Sequence, residues 1–397
     1  MYRALPPTAA PLQFRSLLSG VFSTFGHGAE TAFRDQIRAY FKVKHVFLVS
    51  SGKAALYFSL RAVQQSSKRK EVVIPAYSSF CLASAVARAG LPVKLCDIDP
   101  DTLDFDLDKL RSAVTERTLA VIPVHNYGLV CNLREIQRIA VEKGAFVVED
   151  AAQAAGALFE NRKVGALGDV GILSLGRGKN IGALGGGVIL TDREPLASLI
   201  DELLALYPQE SSLSEYSSLL KGAASGLFLH PESYALPAHL PFLNLGTNVF
   251  DPDFKIARLS NLNAEVGRRA FSSLDSYNDI RKRNARLLSH NLGYNESVRI
   301  PKPLIAGQPV YLRFPIVFPK KETRRRASWI LNRRRLGANR SYLTPLNEIP
   351  PFRTSLCAED DYPGAKFVAE RILTLPTHPY VNEQDIKRIV SRIGKVT

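Results

Sequence analysis

The stretch HVFLVSSGKAALYFSLRAV, residues 45–63, joins a short apolar run to a helical pattern through a glycine. HVFLVS has the length and composition of a buried strand, and AALYFSLRAV has the spacing of a helix. The same alternation continues along the chain with six further apolar runs: EVVIPA, VKLCDI, LAVIPV, AFVVED, GILSL and GGVILTD. Near-continuous apolar strands that alternate with helices indicate a parallel sheet covered on both faces. The sequence therefore predicts an α/β fold around a mostly parallel, seven-stranded sheet.

The composition excludes several classes of protein. Of the 397 residues, 46% are hydrophobic, and no stretch approaches the apolar length of a membrane span. The N-terminal sequence lacks a compact apolar core followed by a small-residue cleavage site, so no signal peptide is expected. Four cysteines are scattered without a CxxC pair or a metal-ligand spacing. This usage predicts reduced thiols, no metal site and a cytoplasmic protein.

The chain is basic, with a net charge of +15. Much of this charge lies in PKKETRRRASWILNRRR, residues 319–335. Such a run attracts nucleic acid, anionic lipid or phosphorylated small molecules. Since no helix-turn-helix, zinc-finger or RNA-recognition signature accompanies it, nucleic acid is not an expected partner. A solvated helix face is the favoured interpretation, and a phosphate-attracting rim or a peripheral membrane contact stays open.

The second half of the chain departs from the strand–helix alternation. Residues 206–253 are rich in Ser, Pro and Gly, and form an excursion over an active site, a dimer contact or a lipid-facing element. Residues 257–288 are predicted to form a helix, followed by a strand at 310–318, a helix at 327–337 and a C-terminal helix from about 382. The predicted division is an N-terminal arm at 1–30, a large domain at 31–255 and a small α+β domain at 256–397.

Polar residues lie where the predicted strands end, which is where open α/β sheets bind ligands. Ser51, Gly52 and Lys53 form a turn before a helix, and the free N–H groups of a helix N-terminus attract anions. Asp150 ends the strand FVVED, and Gln153 follows one helical turn later. A helix N-cap is an equally good interpretation of Asp150 taken alone.

The stretch SLGRGKNIGALGGG, residues 174–187, places Ser174 at a strand end and Lys179 in a glycine-rich loop. Neither GxGxxG nor a Walker loop fits its glycine spacing, so nucleotide binding through those loops is not expected. A phosphate cradle, a strand-end carboxylate and a loop lysine together are what pyridoxal 5′-phosphate (PLP) requires. Its phosphate needs a helix terminus, its ring nitrogen needs a carboxylate to stay protonated, and its aldehyde needs an amine.

Six segments in chain order resemble the DegT/StrS-type, PLP-dependent nucleotide-sugar aminotransferases, which have the aspartate-aminotransferase fold (fold type I). SSGKAAL is similar to the family's phosphate motif SGTxAL, with Lys53 in place of threonine. The others are VVIPAYSSFCLASAVARAGLPVKLCDID, PVHNYGLVCNLREIQRIAVEKGAFVVEDAAQAAGA, VGALGDVGILSLGRGKNIGALGGGVILTD, RLSNLNAEVG and ILTLPTHPYVNEQDI. The resemblance implies a large PLP-binding domain, a smaller C-terminal domain and a homodimer.

The resemblance also implies a role for each matched residue. Lys179 would be the Schiff-base lysine, Asp150 the partner of the pyridine nitrogen, and Gln153 the partner of the phenolic oxygen. Ser174 and the turn at 51–53 (Ser51, Gly52 and Lys53) would hold the phosphate. His125, in PVHNYG, would lie near the substrate or cofactor as a catalytic residue, with a satisfied core histidine as the alternative.

The implied reaction moves an amino group from an amino-acid donor, glutamate, to a keto-sugar nucleotide. Two alternatives stay open: a different PLP reaction (elimination, epimerisation or aldol-type) and a non-catalytic regulatory relative. The chain departs from the family pattern at Ser79, where an aromatic residue usually stacks on the ring. It departs again at Ile256, where an asparagine usually crosses a dimer to the phosphate. Lys53, Arg177 or Lys255 would then supply the phosphate contact.

Overall fold

The computed structural model describes residues 3–23, 28–235, 249–349 and 361–396. Its centre is a seven-stranded sheet. In chain order its strands are β1 (His45–Val49), β2 (Glu71–Pro75), β3 (Val93–Cys96), β4 (Thr118–Val121), β5 (Phe146–Asp150), β8 (Val170–Ser174) and β9 (Gly187–Thr191). The two-residue strands β6 (Leu158–Phe159) and β7 (Arg162–Lys163) lie between β5 and β8 in the chain and belong to a separate small sheet. Each of the seven apolar runs forms one strand of this sheet, which confirms the predicted architecture.

The strand order is β1-β9-β8-β5-β4-β2-β3. The pairs from β8 to β3 are parallel, whereas β9 runs antiparallel to both β8 and β1. The carboxyl ends of β5 and β8 therefore lie side by side, with Asp150 opposite Ile172. This pairing brings the strand-end residues of the two motifs to one edge of the sheet.

Helices cover both faces of the sheet, because successive strand residues point to opposite faces and both sets are apolar. Ile74 and Val148 belong to the cluster on one face, whereas Val73 and Val147 belong to a cluster on the other. The helices up to residue 228 are α1 (Phe14–Ser23), α2 (Ala29–Phe41), α3 (Gly52–Gln65), α4 (Phe80–Arg88), α5 (Leu107–Ala113), α6 (Leu133–Glu142), α7 (Glu194–Ala205) and α8 (Ser212–Phe228). The predicted helices at α3, α4, α6 and α7 are confirmed.

The single helix predicted over 257–288 is wrong. The chain forms α9 (Asn261–Phe271) and α10 (Leu274–Leu292), with Ser272 and Ser273 between them. Serine competes with helical backbone bonding, and Phe271 and Leu274 are both buried in one apolar cluster. The break between the two helices lets Phe271 and Leu274 both reach that cluster. The spacing of apolar residues alone continues a helical pattern across the break, so it does not predict the break.

The C-terminal region is a smaller α+β unit. β11 (Arg313–Val317) pairs antiparallel with β12 (Ile372–Pro376), beside α11 (Lys321–Arg333), α12 (Pro363–Arg371) and α13 (Glu383–Ile393). An apolar cluster that includes Phe314 and Ile389 joins β11, β12, α11 and α13, whereas Val368 of α12 packs in the large cluster on the sheet. The short strand β10 (Gly307–Gln308) instead pairs with β6. The division at 1–30, 31–255 and 256–397 stays a prediction.

The first part of the N-terminal arm, residues 3–12, crosses between distant parts of the chain. Leu5 N donates a hydrogen bond to Arg335 O at 2.8 Å. Farther along, Thr8 lies against the glycine-rich loop: a Cβ on Gly178, whose φ is +80°, would come to 2.6 Å from Thr8 Oγ1. The arm therefore joins the C-terminal region to the loop that carries Lys179.

The structure describes part of residues 206–253 and all of the basic run 319–335, two regions for which the sequence left several interpretations open. Residues 206–253 contain α8, which contacts α1, whereas 236–248 lie outside the described residues. The basic run forms α11, in which Arg324 is buried and Trp329 is 61% exposed beneath the Arg333 guanidinium. Within the described ranges, no helix is long and apolar enough to cross a membrane.

Candidate active site

Lys179 lies in the loop between β8 and β9, at the edge where β5 and β8 end. Its N–H donates to Gly176 O at 3.1 Å, and its side chain is half-buried. Burial lowers the pKa of Lys179, which the negative charge of Asp150 partly opposes and the positive charge of Arg313 reinforces. A lowered pKa raises the fraction of the amine that is unprotonated at neutral pH, which is the form that acts as a nucleophile or base.

Asp150 is the carboxylate of this site. Its Oδ1 accepts a hydrogen bond from Ala152 N at 2.9 Å, in the turn that follows β5. Burial raises the pKa of Asp150, against the opposing effects of that bond and of the neighbouring Lys179 and His125 side chains. A half-buried carboxylate with a raised pKa is suited to share a proton with a ring nitrogen placed beside it.

The first turn of α3 forms a cradle for an anion. Ser51 caps the helix by accepting from Ala54 N at 3.1 Å, and the first helical bond runs from Ala55 N to Ser51 O. The N–H groups of Gly52 and Lys53 precede that bond, so the helix leaves them free to bind a ligand. Ser174 lies directly opposite, since a Cβ on Gly52 would come to 3.2 Å from Ser174 Oγ. Glycine at position 52 keeps this space open.

The side chain of Lys53 points to a different partner. Its Nζ lies 2.8 Å from Asp251 Oδ2 and 4.6 Å from the centre of the Phe254 ring. The residue thus contributes a backbone N–H to the cradle, while its ammonium group is held by residues 251–254.

Gln153 is held at both ends of its amide. Its Oε1 accepts from Tyr127 N at 3.3 Å, and its Nε2 donates to the Tyr342 hydroxyl at 2.8 Å. Tyr127 has a φ of +60°, and the neighbouring Gly128 has no room for a Cβ beside Leu312 N. This tight turn places Tyr127 N against the glutamine.

His125 is fully buried beneath the site. Its Nδ1 accepts from Cys131 N at 3.1 Å, so the remaining ring proton is on Nε2, which donates to Glu149 Oε1 at 3.0 Å. His125 N also donates to Asp150 O at 3.1 Å. Both ring nitrogens therefore have partners, and the backbone connects the residue to the strand end that carries Asp150.

The structure adds a cluster of residues that the sequence prediction missed. Tyr77 and Tyr127 share a hydrogen bond of 2.7 Å between their hydroxyls, and Tyr342 stacks on Tyr127 with ring centres 6.0 Å apart. Arg313 donates from Nη1 to Ser341 Oγ at 2.8 Å beside these rings. Burial raises the pKa of Tyr127 to about 12, so its hydroxyl stays protonated at neutral pH.

Two of these residues had a signal in the sequence. Tyr77 follows the end of β2, and Tyr127 lies two residues after His125, so the strand-end rule covers both. Arg313 and Tyr342 come from the C-terminal region, far from the sheet in sequence. No local pattern shows that they return to the site.

The residues present fit PLP by the chemistry of their donors. The turn at 51–53 and Ser174 offer backbone and hydroxyl donors to a phosphate, and Gly52 leaves the room for it. Asp150 offers a half-buried carboxylate, and Lys179 offers a half-buried amine with a lowered pKa. These are the three groups that the cofactor needs.

Comparison with known proteins places the whole chain in one family. The model of the DegT/DnrJ/EryC1/StrS aminotransferase family matches residues 13–394. A pleiotropic regulatory protein of Geobacillus stearothermophilus is 30% identical over 364 residues, which cover 90% of this chain and 87% of the relative. GDP-perosamine synthase of Caulobacter vibrioides is 28% identical over 371 residues, covering 92% and 88%.

A solved structure shows the same fold. Spr1654 of Streptococcus pneumoniae, solved in its PLP form, superposes with a TM-score of 0.79 at 18% identity, and the match covers 99% of this chain and 100% of that one. The predicted family, fold and cofactor are confirmed. With a family match over nearly its full length, the chain belongs to the DegT/DnrJ/EryC1/StrS aminotransferase family and is a PLP-dependent aminotransferase.

Proposed function

We propose that this enzyme moves an amino group from glutamate to a keto-sugar nucleotide, with Lys179 and Asp150 as its catalytic residues. The observation that supports these roles is the half-buried pair of Asp150, at the end of β5, and Lys179, in the loop after β8, next to the cradle at the start of α3. The charge of Asp150 is the largest of the effects that oppose the lowered pKa of Lys179. In proteins, such perturbed pairs in clefts mark functional sites.

The proposed roles follow from the position of each group. The N–H groups of Gly52 and Lys53 and the hydroxyl of Ser174 would hold the phosphate, and Asp150 would hold the proton of the ring nitrogen. When bound, PLP supplies an aldehyde for the amine and a ring that accepts electrons from the substrate carbon. Lys179 Nζ, whose pKa burial lowers, would move the proton of that carbon. Gln153, fixed by Tyr127 and Tyr342, would orient the ring.

His125 is proposed here as a positioning residue rather than a group that moves a proton. Both of its ring nitrogens bond to protein atoms, and it supports the backbone of Asp150. This assignment takes the second of the two interpretations that the sequence left open.

The acceptor class rests on the relatives. GDP-perosamine synthase and a dTDP-3-amino-3,4,6-trideoxy-alpha-D-glucose transaminase of Streptomyces venezuelae, the latter 27% identical over 365 residues, are named for amino sugars carried on nucleotides. A sugar nucleotide also carries phosphates, which suits a protein with a net charge of +15.

Mixing the PLP-loaded enzyme with glutamate tests the reaction. We expect the cofactor to convert to its amine form, and the change in the absorbance of the cofactor measures this conversion. The Lys179→Ala variant should abolish it. Keto-sugar nucleotides screened against the amine-loaded enzyme then identify the acceptor. If no amino acid converts the cofactor, a different PLP reaction or a regulatory role replaces this proposal.

We also propose a homodimer. The outer face of α1 exposes Phe14, Leu18 and Phe22, at 69%, 45% and 74% of their surface. Their spacing of four residues makes an apolar stripe on one side of a helix, and such stripes mark interaction surfaces. Size-exclusion measurements with activity assays at low concentration test this, and a monomer that keeps full activity on dilution would refute it.

A further inference from the structure

The basic run 319–335 takes no part in the site and carries nearly half of the net charge of the chain. It holds eight lysines and arginines and one carboxylate, that of Glu322, which is a net charge of +7 out of +15. Its centre is α11, whose exposed side lines an open hollow together with a residue that follows the run. We call this hollow the basic surface, and the residues that define it are Arg324, Arg325, Arg326, Trp329, Arg333 and Arg340.

The exposed arginines of the basic surface are not neutralised by carboxylates. Among the described residues, no ion pair involves Arg325, Arg326 or Arg333. The buried Arg324 donates instead to a backbone carbonyl oxygen at 2.9 Å. Burial, and then the positive charges of Arg340 and Arg325, lower the pKa of Arg324. The cations of this surface therefore repel one another, and an anionic partner would relieve the repulsion.

Two large apolar side chains are exposed at the basic surface. Trp329 is 61% exposed, and the Arg333 guanidinium lies 5.0 Å from the centre of its ring. Leu343 is 59% exposed, and its carbonyl oxygen accepts a hydrogen bond from Arg340 at 3.3 Å. A single exposed apolar residue needs no explanation, whereas a tryptophan among arginines matches a membrane interface. There the ring meets the acyl boundary while the cations meet the phosphates.

The positive charge continues from α11 onto α13. Arg334, directly after α11, lines a second open hollow together with Lys387 and Arg392 of α13. The two helices contact each other, so their cations form neighbouring patches. Clusters of this kind bind anionic lipid surfaces, which are broad enough to engage every cation at once.

We propose that the basic surface docks the enzyme on a membrane that contains anionic phospholipids. Its exposed arginines would lie among the lipid phosphates, and Trp329 and Leu343 would enter the boundary between headgroups and acyl chains. The contact is peripheral, because Ala327 and Leu331 on the opposite face of α11 are fully buried in the protein. A nucleic acid offers the same phosphates but no apolar boundary for Leu343.

Vesicle binding by the PLP-loaded enzyme tests the proposal, and Trp329 reports on it directly because it is the one tryptophan of the chain. The dissociation constant is measured by co-sedimentation with vesicles of phosphatidylcholine and phosphatidylglycerol in equal parts, and with vesicles of phosphatidylcholine alone. We expect binding to the mixed vesicles only. The tryptophan emission should shift to shorter wavelength as the ring leaves water.

Two variants that lose the same charge locate the contact. The first removes three cations of the basic surface together: Arg325→Gln, Arg326→Gln and Arg333→Gln. The control removes three exposed cations from the turns before β2 and β4: Lys68→Gln, Lys70→Gln and Arg117→Gln. Each cation near an anionic membrane strengthens binding roughly fivefold, so the first variant should lose about a hundredfold in affinity and the control less than about threefold.

The outcomes separate membrane docking from its alternatives. Equal affinity of the two variants for the mixed vesicles overturns the proposal, as does an absence of vesicle binding by the natural protein. Binding without a shift of the Trp329 emission overturns it too, since the ring would then stay in water. Tighter binding to duplex DNA than to the mixed vesicles, lost in the first variant, would assign the surface to nucleic acid instead.

Folding of the variants is checked by circular dichroism. If the first variant does not fold, the double variant Arg326→Gln with Arg333→Gln carries the comparison. Because vesicle binding is measured without substrates, its result does not depend on the proposed reaction.

Discussion

The hydroxyl of Tyr342 accepts a hydrogen bond of 2.8 Å from Nε2 of Gln153. The bond joins the C-terminal region to the turn after β5, and the opposite end of the same amide is held by Tyr127 N. Tyr342 also stacks on Tyr127 at an interplanar angle of 24°. The orientation of Gln153 is therefore fixed by protein contacts before any ligand binds.

Removing the hydroxyl of Tyr342 should loosen this arrangement. In Tyr342→Phe the buried Nε2 of Gln153 loses its partner, so the free energy of unfolding should fall by about 1–2 kcal/mol. Denaturant unfolding measures the loss, and Tyr294→Phe, at a residue that is 84% exposed, serves as the control. If Tyr342→Phe and its control had the same free energy of unfolding, the hydrogen bond would make no net contribution to stability.

Asp150→Asn should slow the reaction at least about a hundredfold. The amide carries no negative charge, so a ring nitrogen beside it would lose its proton more readily and accept electrons less well. A pKa shift of two units corresponds to about 2.7 kcal/mol, which is a hundredfold in rate. Steady-state turnover measures the loss, and equilibrium binding should show that PLP is still retained. Near-normal turnover would reduce Asp150 to a helix cap.

The amine of Lys179 should titrate below the ordinary value of 10.5, because burial lowers its pKa. Since Asp150 opposes that effect, Asp150→Asn should lower the pKa of Lys179 further. The rate at which the PLP-free protein captures pyridoxal, followed against pH, reports the neutral amine, with Lys179→Ala as the background. The rate should therefore rise at a lower pH in Asp150→Asn than in the natural protein. A rise of the pKa in the variant would contradict the predicted pairing.

The contact between the arm and the lysine loop can be tested at one glycine. Gly178 and Gly90 both have a positive φ, of +80° and +69°. A Cβ added to Gly178 would come within 4 Å of Thr8 Oγ1, whereas a Cβ added to Gly90 would meet no atom within that distance. Both alanine variants carry the backbone strain of about 1–2 kcal/mol, and Gly178→Ala should lose about 1 kcal/mol more through overpacking. Thermal unfolding measures the difference. In a Thr8→Ala background that excess should vanish, and equal losses in the natural background would count against the contact.

The buried pair of His125 and Glu149 predicts an acid-sensitive core. Burial by itself raises the pKa of Glu149, but the bond from His125 and the N–H groups of Gly165 and Leu167 outweigh it and lower the pKa overall. The stabilisation by this carboxylate is therefore complete above about pH 4.5 and is lost as the pH falls through the lowered value.

Glu149→Gln should lower the free energy of unfolding by about 3 kcal/mol near neutral pH, because an amide cannot accept every bond that the carboxylate accepts. The difference from the natural protein should shrink in acid. Denaturant unfolding at several pH values measures it, and a difference that does not change with pH would show that the charge of Glu149 is not what stabilises the fold.

The sheet was predictable because its strands are buried on both faces, which produces apolar runs that the chain shows without any tertiary information. The same reasoning placed Asp150, Ser174 and Ser51 at the ligand-binding edge, since strand ends are readable from the runs themselves. The turn at Ser272 and Ser273 was not predictable, because the apolar spacing continues across it. Only the packing of Phe271 and Leu274 decides that the helix ends there.

Arg313 and Tyr342 could not be placed from the sequence for a different reason. Their position depends on how the chain beyond α10 folds back on the sheet, which is set by long-range packing. The contact of Lys53 with Asp251 is similar: a lysine beside a phosphate motif suggests a phosphate ligand, and only the structure shows a carboxylate at 2.8 Å.

The N-terminal arm has a consequence for how the protein matures during synthesis. Thr8 reaches the lysine loop while Leu5 is bonded to Arg335, so the arm is held in part by a residue that is synthesised much later. Contacts between such distant parts of a chain form late in folding. The nascent chain can assemble its sheet early, but the arm can form both of its contacts only after Arg335 has left the ribosome. Ordering of the arm is thereby expected to be one of the last steps of folding.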